Sequence, residues 1–467
     1  MLFSSVTFVY YFLPVVIALY FIVPRRFKNV VLLVASLFFY FWGEPIYLFL
    51  MIGSIISGYV HGILIERFRG TKWSKVALIS SIVVSLALLG VFKYSDFFID
   101  TVNSLFGSNL TLLRLALPVG ISFYTFQIIS YTVDLYRGEI SAQRNILKLA
   151  TYIALFPQLT AGPIVRYATV EKDLDHRKFS LSGVADGITR FTIGIGKKIL
   201  LANTIGQLVE VFKTSSEQNV LFFWLYAIGF PLQLYYDFSG YSDMAIGLGR
   251  IFGFNFPENF NYPYISKSIS EFWRRWHMTL GQWFRDYVYI PLGGSRVSTL
   301  KWVRNVFIIW ALTGLWHGAG WVFALWGLIF AVVLLLEKLV YGKALSKAPA
   351  PIAHFYTMLI FILSLIIFDS FTLSDAMMRI GGLFGIGGYS LYGDISLYYL
   401  RSYAVLIIIG IIGSTPLPKR LIERIKSVPS GNKAIKWVTP LFVIVILILV
   451  TAYLVDGSFN PFIYFRF

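Results

Sequence analysis

The sequence contains no cysteine, which excludes disulfides, thiolate metal sites and a cysteine nucleophile. Charged residues are also scarce. They make up 13% of the 467 residues, whereas soluble domains carry about 25%. Hydrophobic residues account for 57% of the chain. This composition is typical of a polytopic membrane protein.

Acidic residues are the rarer charged class, with 23 Asp and Glu against 40 Lys and Arg, which gives a net charge of +17. In a soluble protein this excess of positive charge would suggest that the protein binds nucleic acid, but no RNA- or DNA-binding motif accompanies it. Most of the excess lies in short loops between apolar runs, where it orients the chain and contacts anionic lipid. We therefore expect membrane lipid as a partner, and no nucleic acid.

Apolar runs recur along the whole chain. A bilayer core of about 30 Å needs about 20 apolar residues in a helix, and shorter runs suffice for re-entrant helices. The pattern predicts an all-α fold of about 11–12 transmembrane or re-entrant helices. We expect a single domain over residues 1–467, because no internal repeat or long linker is present. The predicted spans are 7–24, 29–42, 45–64, 76–92, 115–135, 146–165, 219–236, 304–317, 320–340, 352–370, 401–414 and 437–455.

Basic loops predict the orientation of these spans. Lys and Arg cluster after the first and third runs and again between 416 and 436, and such loops face the cytoplasm. The loop between Tyr94 and Leu113 has no Lys or Arg but contains Asp96 and Asp100. We place it outside, together with both chain termini. The first run lacks preceding basic residues and a following cleavage site, so we interpret it as an uncleaved span.

The middle third, from about 140 to 300, departs from this alternation. Segments 185–204 and 266–289 are amphipathic, carry Arg, Lys and Trp, and are too polar to span. We interpret them as interfacial or re-entrant helices. Prolines and glycines interrupt the neighbouring apolar runs, and broken helices line cavities more often than they face lipid.

Basic residues concentrate between 266 and 304, where seven Lys and Arg accompany two acidic residues. A polyanionic ligand from the cytoplasm fits this imbalance. On a helix, Glu271 would lie close enough to hold both Arg274 and Arg275. A cytoplasmic loop with interfacial tryptophans is the alternative, and it stays open. The candidate ligand-binding residues are Arg274, Arg275, Arg285, Trp276 and Asp286.

Two histidines lie in or near this basic stretch. His277 can accept or donate a proton near neutral pH, although a lone histidine on an amphipathic helix is also a common interface residue. His317 lies in an apolar run between Trp316 and Gly318, where an ionisable group is costly and a functional role is favoured. Its alternative is a structural hydrogen bond to a neighbouring helix. Asn305 begins the same run, and its carboxamide can orient a base, stabilise an oxyanion or cap a helix.

Several motifs rich in Pro, Gly, His and aromatic residues occur in one order. They are PVGISFYTFQ at 118–127, FPQLTAGPI at 156–164, DFSGYSDMA at 237–245, FWRRWH at 272–277, FRDY at 284–287, PLGG at 291–294 and GLWHG at 314–318. Together they resemble the membrane-bound O-acyltransferase (MBOAT) family. The most similar branch is the bacterial one of alginate O-acetyltransferase and its peptidoglycan- and cellulose-acetylating relatives. The resemblance extends over residues 1–455.

The resemblance implies a helical fold enclosing a tunnel in a bacterial inner membrane. It implies acetyl-CoA as the cytoplasmic donor, with no permanently bound cofactor or metal, and an extracellular polysaccharide or a partner acetyltransferase as the outer acceptor. The family's invariant histidine matches His317, its second motif histidine matches His277, and the asparagine that precedes the invariant histidine matches Asn305. Gly320 stands where family members often have a polar residue.

A thioester is already activated, so its transfer to a hydroxyl needs a base, a group that stabilises the oxyanion, and exclusion of water. We expect His317 to be the base. His277 would guide the pantetheine arm or relay a proton, and the arginines would attract the phosphates of coenzyme A.

Three alternatives remain. A D-alanyl transferase of teichoic acid modification belongs to the same family. A secondary transporter would also have broken helices and buried histidines, but it usually shows internal repeats and intramembrane carboxylates, and neither is evident here. A non-catalytic scaffold leaves the grouped His, Asn and Arg unexplained.

Overall fold

The computed structural model describes residues 1–160 and 162–457, and within these ranges the chain is helical with no strand. The predicted all-α class is confirmed. The last residues of the expected outer tail, from 458 onward, lie outside the described ranges. Seven helices among the described residues are long and apolar enough to cross a membrane, namely Arg25–Gly43, Tyr47–Arg67, Lys72–Phe106, Trp321–Lys347, Ala350–Phe368, Asp394–Gly413 and Pro429–Val455.

The described chain forms two compact units, and the first comprises Met1–Phe191 and Met244–Pro257. Its N-terminal rings pack on later helices: the Phe3 ring centroid lies 5.6 Å from that of Phe39 and 6.2 Å from that of Phe156. The helices of this unit are α1 (Leu13–Ile22), α2 (Lys28–Gly43), α3 (Tyr47–Arg67), α4 (Lys72–Phe106), α5 (Ile121–Arg137), α6 (Ile146–Ala154), α7 (Phe156–Leu159) and α8 (Tyr167–Asp175). A π-helical turn, Thr7–Phe12, precedes α1.

The predicted span at 146–165 is wrong, because the helix ends at Ala154. Leu155 leaves the helical conformation, with φ −54° and ψ 110°, and a new four-residue helix begins at Phe156. Pro157 lies in the first turn of that helix, where its missing N–H costs no hydrogen bond. Hydrophobicity alone did not reveal this break.

The second unit comprises Thr192–Asp243 and the chain from Glu258 onward. Two further helices, α9 (Leu181–Gly196) and α11 (Val220–Ile251), contribute residues to both units. The remaining helices are α10 (Thr204–Thr214), α12 (Ile269–Trp273), α13 (Met278–Phe284), α14 (Thr299–His317), α15 (Trp321–Leu336), α16 (Gly342–Lys347), α17 (Ala350–Phe368), α18 (Leu373–Leu383), α19 (Asp394–Gly413), α20 (Leu417–Lys426) and α21 (Pro429–Val455). π-Helical segments follow α9, α13 and α15 at Lys197–Asn203, Arg285–Tyr289 and Glu337–Tyr341.

The segment 266–289 is not one amphipathic helix, as its pattern suggested. It divides into α12 and α13, and His277 lies at their junction with φ 42° and ψ 52°. A non-glycine residue in this left-handed region is uncommon and strained. The break turns the histidine away from the polar helix surface on which the sequence placed it.

Two glycines allow α14 and α15 to pack closely. A Cβ atom at Gly314 would lie 2.2 Å from the carbonyl oxygen of Phe323, and one at Gly327 would lie 2.2 Å from that of Trp310. No larger side chain fits at either position without separating the helices. The close packing fixes the C-terminal turn of α14, where His317 lies.

Candidate active site

His277 is buried, with 2% of its surface exposed, and the side chain of Asn259 holds it. The imidazole Nδ1 lies 3.0 Å from Asn259 Oδ1. The backbone supports the same contact, because the N–H of Met278 donates to the carbonyl oxygen of Asn259 at 2.9 Å. Asn259 therefore positions both the ring of His277 and the main chain that follows it.

The hydrogen bonds of Asn259 determine the tautomer of His277. The amide nitrogen of Asn259 donates to Ser242 Oγ at 3.1 Å. Its oxygen accepts from the Thr279 hydroxyl at 2.9 Å and from the Thr279 N–H at 3.4 Å. An oxygen that faces Nδ1 can only accept, so Nδ1 carries the proton and Nε2 of a neutral His277 is an acceptor.

Nε2 of His277 is buried and has no hydrogen-bond partner among the residues that the structure describes. Burial lowers the pKa of His277 well below its usual value, and the nearby charge of His317 lowers it further. The ring is consequently neutral near pH 7. A buried acceptor without a partner is costly in a folded protein, and at this place it is available to a substrate proton.

Aromatic rings surround the two histidines. The ring of Trp316 contacts both imidazoles, with centroid distances of 5.8 Å to His277 and 5.1 Å to His317. His317 also packs against Trp326 at 5.3 Å and Phe368 at 5.5 Å. The structure thus brings His277 and His317 together in an apolar environment.

The indole N–H of Trp326 is a second buried polar group at this site. Trp326 is 2% exposed, and its Nε1 has no hydrogen-bond partner within the described part of the chain. An acceptor on His277 and a donor on Trp326 therefore accompany His317. Transfer of an acyl group needs one group of each kind.

The structure places Asn305 in the N-terminal part of α14, away from His317, and its expected catalytic role stays a prediction. Its amide nitrogen donates to the carbonyl oxygens of Leu292 (3.1 Å) and Gly294 (3.2 Å), and its oxygen accepts from Arg304 at 2.9 Å. Every hydrogen-bonding group of the carboxamide is thus in use. Twelve residues of α14 separate Asn305 from His317, or about 18 Å at 1.5 Å per residue. Asn305 holds the turn before α14.

The candidate donor-binding residues occupy different environments. Arg275 pairs with Glu271 at 2.9 Å, and Arg285 pairs with Asp286 at 3.1 Å. Arg274 is exposed. The expectation that Glu271 holds Arg274 and Arg275 alike is therefore corrected: its ion pair is with Arg275.

Trp276 is a core residue rather than an interfacial one. It is 6% exposed, and its ring lies 5.1 Å from that of Phe260, 5.7 Å from Phe272 and 5.8 Å from Phe361. Its position next to His277 in the sequence makes it a support for the histidine.

Sequence reasoning missed Asn259 and Trp326. Asn259 lies in a loop, 18 residues before His277, and belongs to none of the motifs. Trp326 lies within an apolar span, where a tryptophan reads as one more hydrophobic residue. Neither position carried a signal in a single sequence. Among the described residues, no group of three or more His, Asp or Glu has the arrangement of a metal site.

Residues 132–378 match the model of the MBOAT, membrane-bound O-acyltransferase family. The chain is 40% identical to the probable alginate O-acetylase AlgI of Pseudomonas aeruginosa over 396 residues, which cover 84% of this chain and 76% of the relative. It is 36% identical to the protein of the same name from Azotobacter vinelandii over the full length of both chains. The peptidoglycan O-acetyltransferase of Helicobacter pylori is 35% identical over 84% of this chain and 81% of its own.

Proposed function

Because the chain belongs to the membrane-bound O-acyltransferase family, we propose that it moves an acetyl group from cytoplasmic acetyl-CoA to a hydroxyl group outside the membrane. The chain is a bacterial multi-pass membrane O-acyltransferase. Its acceptor is an extracellular polysaccharide, or a partner acetyltransferase that passes the acetyl group on. Relatives named for alginate and for peptidoglycan acetylation support this acceptor class.

One observation carries the proposal: the buried acceptor Nε2 of His277 lies in the same aromatic environment as His317. His317 is the base that removes the proton from the acceptor hydroxyl. The hydroxyl oxygen attacks the thioester carbonyl, the carbon–sulfur bond breaks, and the sulfur leaves to become the thiol of coenzyme A once it regains a proton. The products are the acetyl ester and coenzyme A.

His277 assists His317 through Nε2. A neutral His277 can accept a hydrogen bond or a proton from the reacting hydroxyl or from protonated His317, and Asn259 keeps that nitrogen free of its own proton. The relay role is favoured over guidance of the pantetheine arm, since the acceptor atom is buried beside the other histidine.

In this proposal Trp326 supplies the oxyanion donor. Its buried N–H lies on the ring that packs against His317. As the thioester carbonyl becomes tetrahedral, its oxygen gains negative charge and a fixed N–H donor lowers the barrier. The surrounding rings exclude water and protect the thioester from hydrolysis.

In this proposal the basic stretch between residues 266 and 304 helps to bind the acetyl donor. Arg274 provides positive charge that attracts the phosphates of coenzyme A. Arg275 and Arg285 add less, because Glu271 and Asp286 partly neutralise them. Trp276 supports the neighbouring His277. Screening by salt should weaken this attraction.

The decisive experiment uses purified protein in proteoliposomes with acetyl-labelled acetyl-CoA on the side of the 416–436 loop and polysaccharide on the other side. We expect acetyl ester and coenzyme A in equal amounts. Equal turnover of a D-alanyl thioester would favour the teichoic acid alternative. Movement of label without ester formation would favour a transporter and overturn the proposal.

A further inference from the structure

A polar cavity of about 350 Å³ lies at the start of α12, within the second unit. It is away from the aromatic rings around the histidines. Lysines and hydroxyls dominate its polar lining, which consists of Lys267, Ser268, Ser270, Glu337, Lys338 and Ser346. We call it the Lys267–Lys338 pocket.

The single carboxylate in this pocket is already satisfied. Glu337 is 5% exposed and accepts from the N–H groups of Ile269 (2.6 Å) and Ser270 (3.0 Å). It also accepts from the hydroxyls of Ser270 (2.7 Å) and Tyr356 (3.2 Å). These donors stabilise its charge in place, so it does not need either lysine of the pocket.

The two lysine side chains have no carboxylate partner among the described residues. Both are exposed at the pocket. The hydroxyl of Ser268 accepts from the N–H of Glu271 and can still donate a hydrogen bond, whereas the hydroxyls of Ser270 and Ser346 already donate to Glu337 and to the carbonyl oxygen of Lys343. Two ammonium groups with the neighbouring Ser268 hydroxyl suit a phosphate group. The pocket therefore has the chemistry of a phosphate site.

The pocket is connected to the histidines through two helices. Trp273 of α12 packs against Trp326 and Phe330 of α15, with ring centroids 5.7 Å and 4.8 Å apart. Along α15 and its π-helical extension, Glu337 is eleven residues beyond Trp326, or about 16 Å. Because Trp326 contacts His317, the pocket lies at a distance of that order from the candidate base.

We propose that the Lys267–Lys338 pocket binds the 3′-phospho-ADP end of acetyl-CoA. This inference rests on the proposed function. The pantetheine arm is an extended chain that separates the phosphates of coenzyme A from the thioester by a length of this order, so it can follow α12 and α15 to the histidines. Lys338, Lys343 and Lys347 also mark this end of the span as cytoplasmic, the side of the donor.

The phosphate of an anionic lipid headgroup could occupy the same pocket. A comparison of two acetyl donors, one with phosphate groups and one without, distinguishes coenzyme A from lipid. The double variant Lys267→Gln/Lys338→Gln is assayed with acetyl-CoA and with S-acetylpantetheine, which has no phosphate. We expect KM for acetyl-CoA to rise about tenfold, as for the loss of charge-assisted contacts to phosphate, with kcat unchanged. KM for S-acetylpantetheine should not change.

The matched control is Lys343→Gln/Lys347→Gln, which removes the same charge from α16 without touching the lining of the pocket. An equal rise in KM in both double variants would mean that the overall positive charge of this surface attracts the donor. That result would overturn the assignment of the pocket. So would an unchanged KM for acetyl-CoA, or a defect that appears only in vesicles containing anionic lipid.

Calorimetry with adenosine 3′,5′-bisphosphate tests binding without turnover. We expect the wild-type protein in detergent to bind this probe and the Lys267→Gln/Lys338→Gln protein to lose most of that binding, while both elute as folded protein in gel filtration. Acetyl transfer by a wild-type protein that does not bind the probe would refute the pocket and leave the proposed function standing. Probe binding without any acetyl transfer would support the pocket and refute the proposed function.

Discussion

The side chain of Asn259 selects the tautomer of His277, because its Oδ1 accepts a hydrogen bond from Nδ1–H over 3.0 Å. The consequence is a buried Nε2 acceptor next to His317. Asn259 is held by Ser242 and Thr279 and does not depend on a bound ligand for its orientation. The site is thus organised before the substrate arrives, which is how enzymes gain most from fixed polar groups.

Replacement of His317 should abolish transfer. His317→Ala removes the proposed base, and we expect a loss of at least about 10²- to 10⁴-fold in kcat, the usual cost of losing a general base. Donor binding by calorimetry should be retained, since the phosphate groups are bound elsewhere. Full activity of the variant would contradict the assignment, and loss of folding would favour a structural histidine.

Asn259→Ala should reduce transfer without removing either histidine. The variant leaves Nδ1 of His277 without its acceptor, so the population with a free Nε2 falls, and we expect about a tenfold or greater loss in kcat. Ser242→Ala is the control, because it removes a partner of Asn259 but keeps the contact to the imidazole. A larger loss in the serine variant than in Asn259→Ala would argue against tautomer selection.

The pH dependence of transfer should report the low pKa of His277. Burial lowers this pKa, the neutral form is the active one, and activity is therefore lost only as pH falls below the usual histidine value of about 6.5. Asn259→Asp places a negative charge beside Nδ1 and raises the pKa, so the acidic limb of kcat/KM should move to higher pH. An acidic limb at the same pH in both proteins would refute this role.

Trp326→Phe tests the oxyanion donor. It keeps a ring against His317 but removes the N–H, and loss of one such donor costs about 10²- to 10³-fold in kcat. Donor KM should change little. Trp273→Phe is a matched control, since it removes another buried indole N–H in the same aromatic cluster at a greater distance from the histidine. Similar losses in both variants would indicate a packing effect.

Cysteine labelling tests the orientation of the chain, and the absence of native cysteine makes the background clean. We expect Ser104→Cys to react with a membrane-impermeant maleimide in intact cells, and Ser430→Cys to react only after permeabilisation. The opposite result would invert the topology and would move the Lys267–Lys338 pocket to the outer side.

The fold class and the two histidines followed from the sequence for local reasons. Apolar runs of sufficient length require helices in a bilayer, because no other partner for the backbone is available there. His317 was recognisable because burying an imidazole in an apolar run costs free energy. His277 was recognisable because it is the last residue of the FWRRWH motif at 272–277. Both signals are contained within a few neighbouring residues.

The partners of these histidines depended on the tertiary structure. Asn259 meets His277 across 18 residues that include α12, and Trp326 meets His317 only because Gly314 and Gly327 let two helices pack closely. Asn305, in contrast, is close to His317 in sequence but not in space. The two residues share α14, and twelve residues of helix, about 18 Å, separate them. Sequence patterns define which residues share an element and a face, whereas a hydrogen bond between side chains depends on how distant segments pack. For that reason the sequence determined the membrane fold and singled out the two histidines, and the packing decided which side chains orient them.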